Sequence, residues 1–133
     1  MKFDHVGIAV EDITASSDFY KALGWTEMHV EEVPSEKVKV GMYECENDAR
    51  VELIEPTSED SPIKKFLDKR GPGIHHICLR VDNIHEKIKA LKAAGVQLIN
   101  EEPKAGAHNC LIAFVHPKST GGVLVELSEK LKY

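Results

Sequence analysis

The chain has 133 residues, the length of one ordinary domain and enough to bury a core. Lys and Arg number 17 against 22 Asp and Glu, and the net charge of -5 is spread along the chain; no basic stripe interleaves with aromatics, which argues against a nucleic-acid partner. Apolar runs are strand-sized, far below the ~20 residues that span a bilayer, and Met1 leads toward Asp4 and a strand rather than into a leader, so a cytoplasmic protein with no membrane partner is expected. Cys45, Cys78 and Cys110 are odd in number and show no Cys-x-x-Cys spacing, which fits reduced thiols.

The first element is a strand in which Val6, Ile8 and Val10 alternate with His5, Gly7 and Ala9, placing His5 on a face of small residues. A helix follows from Asp12 to Leu23, with Ile13, Tyr20 and Leu23 at helical spacing, Asp12 as N-cap and Gly24 as C-terminal stop. Trp25 to Val33, Val38 to Cys45 and Arg50 to Glu55 read as strands separated by the turns Pro34-Ser35-Glu36 and Glu46-Asn47-Asp48. Ser61-Pro62-Ile63 opens a short helix with an N-cap serine and proline at its first position, and Gly71-Pro72-Gly73 closes it.

The chain then repeats itself. His75-His76-Ile77-Cys78-Leu79-Arg80-Val81 echoes Asp4-His5-Val6-Gly7-Ile8-Ala9-Val10, with His76 on the parity of His5. A helix from Asn83 to Ala94, with Gly95 beyond it, echoes the first helix down to its punctuation. Val96 to Asn100, Cys110 to His116 and Val123 to Ser128 complete a second βαβββ pattern, in which Val125-Glu126-Leu127 answers Val51-Glu52-Leu53. The expected organisation is a single domain over residues 1–133: module 1 over about 1–56, a crossover helix over about 57–72, and module 2 over about 73–133. Modules of about 60 residues are marginal alone, so the two are expected to fold together.

Glu52 and Glu126 are carboxylates in strands that otherwise read as buried, where an unpaired charge is costly. Pairing with Arg50 or Arg80, or an outward position on an edge strand, would compensate them. The matched histidines favour a third solution, in which His5, Glu52, His76 and Glu126 hold one divalent ion. Two imidazoles and two carboxylates suit Co, Ni, Mn or Zn, neutralise the dication, and leave an octahedral ion with two positions for substrate oxygens. The carboxylates can double as bases on opposite faces of an enolate. His75 alternates away from His76, and His29, His85 and His108 lie in polar surroundings, so none of these four joins the set. His116-Pro117-Lys118-Ser119 precedes a glycine pair, where Lys118, Ser119 and backbone N–H groups can meet an anionic substrate group; a plain turn reads equally well. Phosphate loops, nucleophile elbows and catalytic cysteines are not evident.

These modules, with His5, Glu52, His76 and Glu126, resemble the vicinal oxygen chelate, or glyoxalase, superfamily, and within it the methylmalonyl-CoA epimerases. The resemblance spans essentially the whole chain and is strongest from His116 to Leu127, supported by Val51 to Pro56, Ser61-Pro62-Ile63 with Lys65-Phe66-Leu67, and Gly73 to Ile77. It implies an α+β fold in which two pseudo-symmetric βαβββ modules form a curved, partly open mixed-sheet barrel around a metal site. It further implies a homodimer that interconverts (R)- and (S)-methylmalonyl-CoA by α-proton abstraction through an enolate held at the ion. By this resemblance His5, Glu52, His76 and Glu126 are the ligands, Glu126 the first candidate for base and Glu52 the second.

Glu52 stands where some family epimerases carry glutamine, and glutamate there is also the pattern of glyoxalase I. That makes lactoylglutathione lyase, acting on the methylglyoxal–glutathione hemithioacetal, the alternative to an acyl-CoA thioester substrate. A non-catalytic binding module is the third reading. Lys37 replaces a glycine frequent in epimerases, and Ala107-His108-Asn109 replaces a glycine-richer stretch.

Overall fold

Alternating apolar residues and matched caps build the same βαβββ order twice in the computed structural model, which describes residues 1–132. The elements are β1 (Lys2–Ala9), α1 (Ile13–Leu23), β2 (His29–Val33), β3 (Val38–Glu44), β4 (Arg50–Pro56), α2 (Pro62–Arg70), β5 (Gly73–Arg80), α3 (Ile84–Ala93), β6 (Lys104–Gly106), β7 (Cys110–Val115) and β8 (Val125–Lys130). The residues fall into two compact units, one comprising His5–His75 and the other Met1–Asp4 with the chain from His76 onward. Among the described residues, no helix is long and apolar enough to cross a membrane.

In the first unit the strands run in the order β2-β3-β4-β1. β1 is parallel to β4, while β3 is antiparallel to both β2 and β4. One face is covered by α1, whose Ile13 joins Val10, Tyr43 and Leu53 in a buried cluster with Ile8, Tyr20, Trp25 and Met28 packed against it. Tyr20, Trp25 and Tyr43 stack at centroid distances of 5.0–6.0 Å. Gly41 lets Met28 and Ile13 approach the sheet: a Cβ there would lie 2.7 Å from Met28 Sδ and 2.9 Å from Ile13 Cγ2.

The second unit repeats this arrangement as β5-β8-β7-β6, with β5 parallel to β8 and the remaining pairs antiparallel. Its core is Val81, Ile84, Ile88, Ala113, Val115 and Leu127. Asp4 accepts a hydrogen bond from Arg80 at 2.5 Å, so Arg80 takes Asp4 as a partner.

Helix punctuation matches in detail. Asp12 accepts from Ala15 N–H and Asn83 from Glu86 N–H, each at 3.1 Å. At the far ends, Gly24 and Trp25 donate to Lys21 and Tyr20, as Gly95 and Val96 donate to Lys92 and Leu91. That is the same Schellman closure twice, with Gly24 at φ 100° and Gly95 at φ 83°. The crossover helix also forms as the sequence indicates: Ser61 Oγ accepts from Ile63 N–H at 3.2 Å and Gly71 ends it.

Three strand boundaries differ from the sequence pattern. β2 begins at His29 rather than Trp25, because Trp25 closes the helix through its N–H and packs its ring on Tyr43. Residues 96–100 form one antiparallel bridge, Leu98 to Val115, rather than a strand. The ladder stops there because the Asn100 side chain takes the Phe114 N–H at 2.9 Å, and Pro103 beyond it has no N–H to donate. Lys104–Gly106 takes the edge position instead. β8 starts at Val125 because Thr120 Oγ1 donates to the Val123 carbonyl after the left-handed Gly121 and Gly122. Cys45, Cys78 and Cys110 are all thiols, the last two buried.

Candidate metal centre

Strand register sets each module's histidine beside its glutamate. In the parallel pair β1/β4, Gly7 lies opposite Glu52, so His5, two residues earlier and on the same face, reaches that carboxylate. In β5/β8, Cys78 lies opposite Glu126, and His76 stands two residues before Cys78. The antiparallel neighbours also correspond, Met42 facing Glu52 and Phe114 facing Glu126.

The two His–Glu pairs are buried, with His5 at 5%, Glu52 at 4%, His76 at 5% and Glu126 at 7% exposure. His5 Nδ1 lies 3.4 Å from Glu52 Oε2, and His76 Nε2 lies 3.0 Å from Glu126 Oε1. Donors held about 2.1 Å from one ion stand about 3.0 Å apart when octahedral and about 3.4 Å apart when tetrahedral. Each pair therefore has the spacing of two ligands on one ion, and nitrogen with carboxylate oxygen is a donor set for a borderline divalent metal. Phe114 meets the His76 ring edge-on at 6.0 Å, helping to fix its plane.

The modules differ in one charged residue. Glu52 Oε2 accepts from Arg50 Nε and from its terminal nitrogen, both at 3.1 Å, and Arg50 is only 7% exposed. The pairing considered for Glu52 on sequence grounds is thus present alongside its histidine contact. Two residues before Glu126 stands Leu124.

Sequence reasoning missed Glu55 and Glu129, each three residues beyond a candidate ligand. Glu55 Oε1 accepts the Ile13 N–H at 2.9 Å, and Glu129 Oε1 accepts the Ile84 N–H at 2.8 Å. Each ties its strand, which carries a candidate ligand, to the first turn of the helix, where backbone donors lack partners. The signal was available in the repeat of Glu-Leu-Ile-Glu as Glu-Leu-Ser-Glu.

Lys118 is exposed, on a turn closed by His116 Nδ1, which accepts the Lys118 N–H at 3.0 Å. Ser119 Oγ accepts the Gln97 N–H at 2.9 Å. His75 packs edge-on against Phe66 at 5.0 Å, and His29 and His85 are exposed. Lys37 adopts a left-handed φ of 56°, the conformation glycine takes most readily, and its ammonium bonds Asp60. That hydrogen bond, with a smaller one from Ser58, lowers the Asp60 carboxyl from 3.8 to about 2.

The family model described as glyoxalase/bleomycin resistance protein/dioxygenase superfamily matches residues 4–114. The mitochondrial methylmalonyl-CoA epimerase of Dictyostelium discoideum is 41% identical over 133 residues, covering 97% of this chain and 78% of that protein. The chain belongs to the methylmalonyl-CoA epimerase family. The crystal structure of the Mycobacterium tuberculosis methylmalonyl-CoA epimerase superposes with a TM-score of 0.91 at 38% identity, covering 98% of this chain and 88% of that one. Another methylmalonyl-CoA epimerase, solved in complex with methylmalonyl-CoA and NH4+, gives a TM-score of 0.90 at 33% identity over 98% and 95% of the two chains. The α+β fold of two βαβββ modules expected from the sequence is the fold of this epimerase family.

Proposed function

We propose that this chain is a metal-dependent epimerase that interconverts (R)- and (S)-methylmalonyl-CoA. One observation carries the reading: a buried His–Glu pair is built twice, in one register, at ion-ligand spacing, within a chain of this family. In the proposed site His5, Glu52, His76 and Glu126 together hold one divalent ion, Co, Ni, Mn or Zn. Bound there, the ion supplies Lewis acidity at the thioester carbonyl, lowering the barrier to loss of the adjacent proton by several kcal/mol.

Glu126 removes the α-proton from one face, and Glu52 serves the other. Their order follows from the partners: Glu52 Oε2 already accepts two guanidinium N–H groups, leaving Oε1 to exchange a proton. His5 and His76 would supply nitrogen donors to the ion, and the apolar Met42 and Phe114 stand opposite the carboxylates on the neighbouring strands. Lys118 and Ser119 are proposed to contact an anionic group of the acyl-CoA. The active species is proposed to be a homodimer.

Lactoylglutathione lyase shares the ligand set, but the named epimerase relatives favour an acyl-CoA thioester over a glutathione hemithioacetal. The test is to incubate single-enantiomer methylmalonyl-CoA with metal-loaded protein and follow its optical purity, beside methylglyoxal plus glutathione. Racemisation that a chelator stops and added ion restores is expected. Lactoylglutathione formation without racemisation would overturn the reading.

A further inference from the structure

The duplicated pairs differ where duplication alone predicts sameness. Arg50 lies opposite His5 in the parallel ladder and donates twice to Glu52, and the matching position before Glu126 is apolar Leu124. A guanidinium stays protonated in proteins, and at 7% exposure the charge of Arg50 is little screened by water. It therefore contributes a fixed positive charge within 3.1 Å of a proposed ligand oxygen.

We propose that Arg50 is a positioning residue that sets the charge of the metal site and orients Glu52, so that the loaded site keeps one net positive charge for an anionic acyl substrate. This rests on the four-ligand reading above. Two glutamates alone would cancel a dication, whereas adding Arg50 leaves the loaded site at +1. A substrate that carries its own carboxylate next to the reacting carbon is the class such a site favours, and a neutral acyl thioester gains less from it. The fork of Arg50 also fixes one Glu52 oxygen, which holds this carboxylate as a ligand while Glu126 has no arginine at the equivalent position.

The experiment measures Mn²⁺ affinity by calorimetry, with the metal alone as probe, for the natural protein, Glu52→Gln, the double variant Glu52→Gln/Arg50→Met, and Glu52→Gln/Arg50→Lys. Thermal unfolding of each establishes that it is folded. Glu52→Gln leaves the arginine charge beside the ion and is expected to weaken binding at least twentyfold. Removing that charge with Arg50→Met should recover at least tenfold, while Arg50→Lys, which keeps it, should recover less than threefold. A merely structural arginine predicts no recovery on its loss, and that result overturns the inference, as does equal recovery with lysine. In the otherwise natural protein, Arg50→Met should raise KM for methylmalonyl-CoA about tenfold with a smaller change in kcat. Natural protein that binds no Mn²⁺ would overturn the four-ligand reading and this inference together; binding without recovery would overturn the inference alone.

Discussion

Replacing Glu129 with alanine tests how β8 is fastened to α3. Glu129 Oε1 accepts the N–H of Ile84 at 2.8 Å, and Ile84 is fully buried at the start of α3. A hydrogen bond to a charged acceptor contributes about 1.5–3 kcal/mol, and a carboxylate at a helix N-terminus adds about 0.3–1 kcal/mol. Glu129 is half-exposed, so water replaces part of the lost interaction, and the low end applies: about 1.5 kcal/mol for Glu129→Ala. Glutamine keeps the acceptor and loses the charge, so Glu129→Gln should cost about 0.5 kcal/mol. Asn83 caps a different N–H, that of Glu86, so Glu129→Ala and Asn83→Ala should be close to additive. Urea unfolding followed by far-ultraviolet circular dichroism gives these differences. A loss below about 0.3 kcal/mol for Glu129→Ala, or equal losses for alanine and glutamine, would show that this charged bond does not hold β8 to α3.

Glu126→Gln should lower epimerase turnover by about 10² to 10⁴-fold, since a neutral amide cannot take the α-proton, while Glu52→Gln retains more activity than Glu126→Gln; steady-state kinetics with saturating metal checks the order. Lys37→Ala should return the Asp60 carboxyl from about 2 toward 3.8, observable by NMR titration of its carboxyl carbon. The sign follows from the lowered value: the Lys37 contact favours the ionised form, so its contribution is present above pH 3.8 and is lost as the pH falls through about 2.

Repetition made much of this molecule readable from its residues. A histidine on alternating strand parity and a glutamate between two apolar residues are weak signals singly. Their recurrence with matching caps at Asp12 and Asn83 and matching stops at Gly24 and Gly95 made the doubled βαβββ order legible and singled out two histidines and two glutamates. The roles of Glu55 and Glu129 were harder to read, because a glutamate late in a strand is ordinarily solvated and its helix partner lies 42 or 45 residues away. Residues 96–100 carry a strand-like composition, but the Asn100 side chain takes the Phe114 N–H in place of a backbone carbonyl and ends the ladder after one bridge. Arg50 was visible only as one of several ways to neutralise Glu52. That it bonds Glu52 together with His5, rather than in its place, depends on strand register.

In the proposed reaction, carboxylates at a His–Glu metal site exchange a proton at the α-carbon of an anionic acyl-CoA. Its most direct test is to hold metal-loaded protein with methylmalonyl-CoA in heavy water and follow deuterium at that carbon by mass spectrometry. Incorporation that a chelator abolishes, and that Glu126→Gln nearly abolishes for the enantiomer whose α-proton faces Glu126, is the predicted result. Metal-loaded protein that leaves the α-proton in place, or exchange that proceeds unchanged in Glu126→Gln for both enantiomers, would contradict that chemistry.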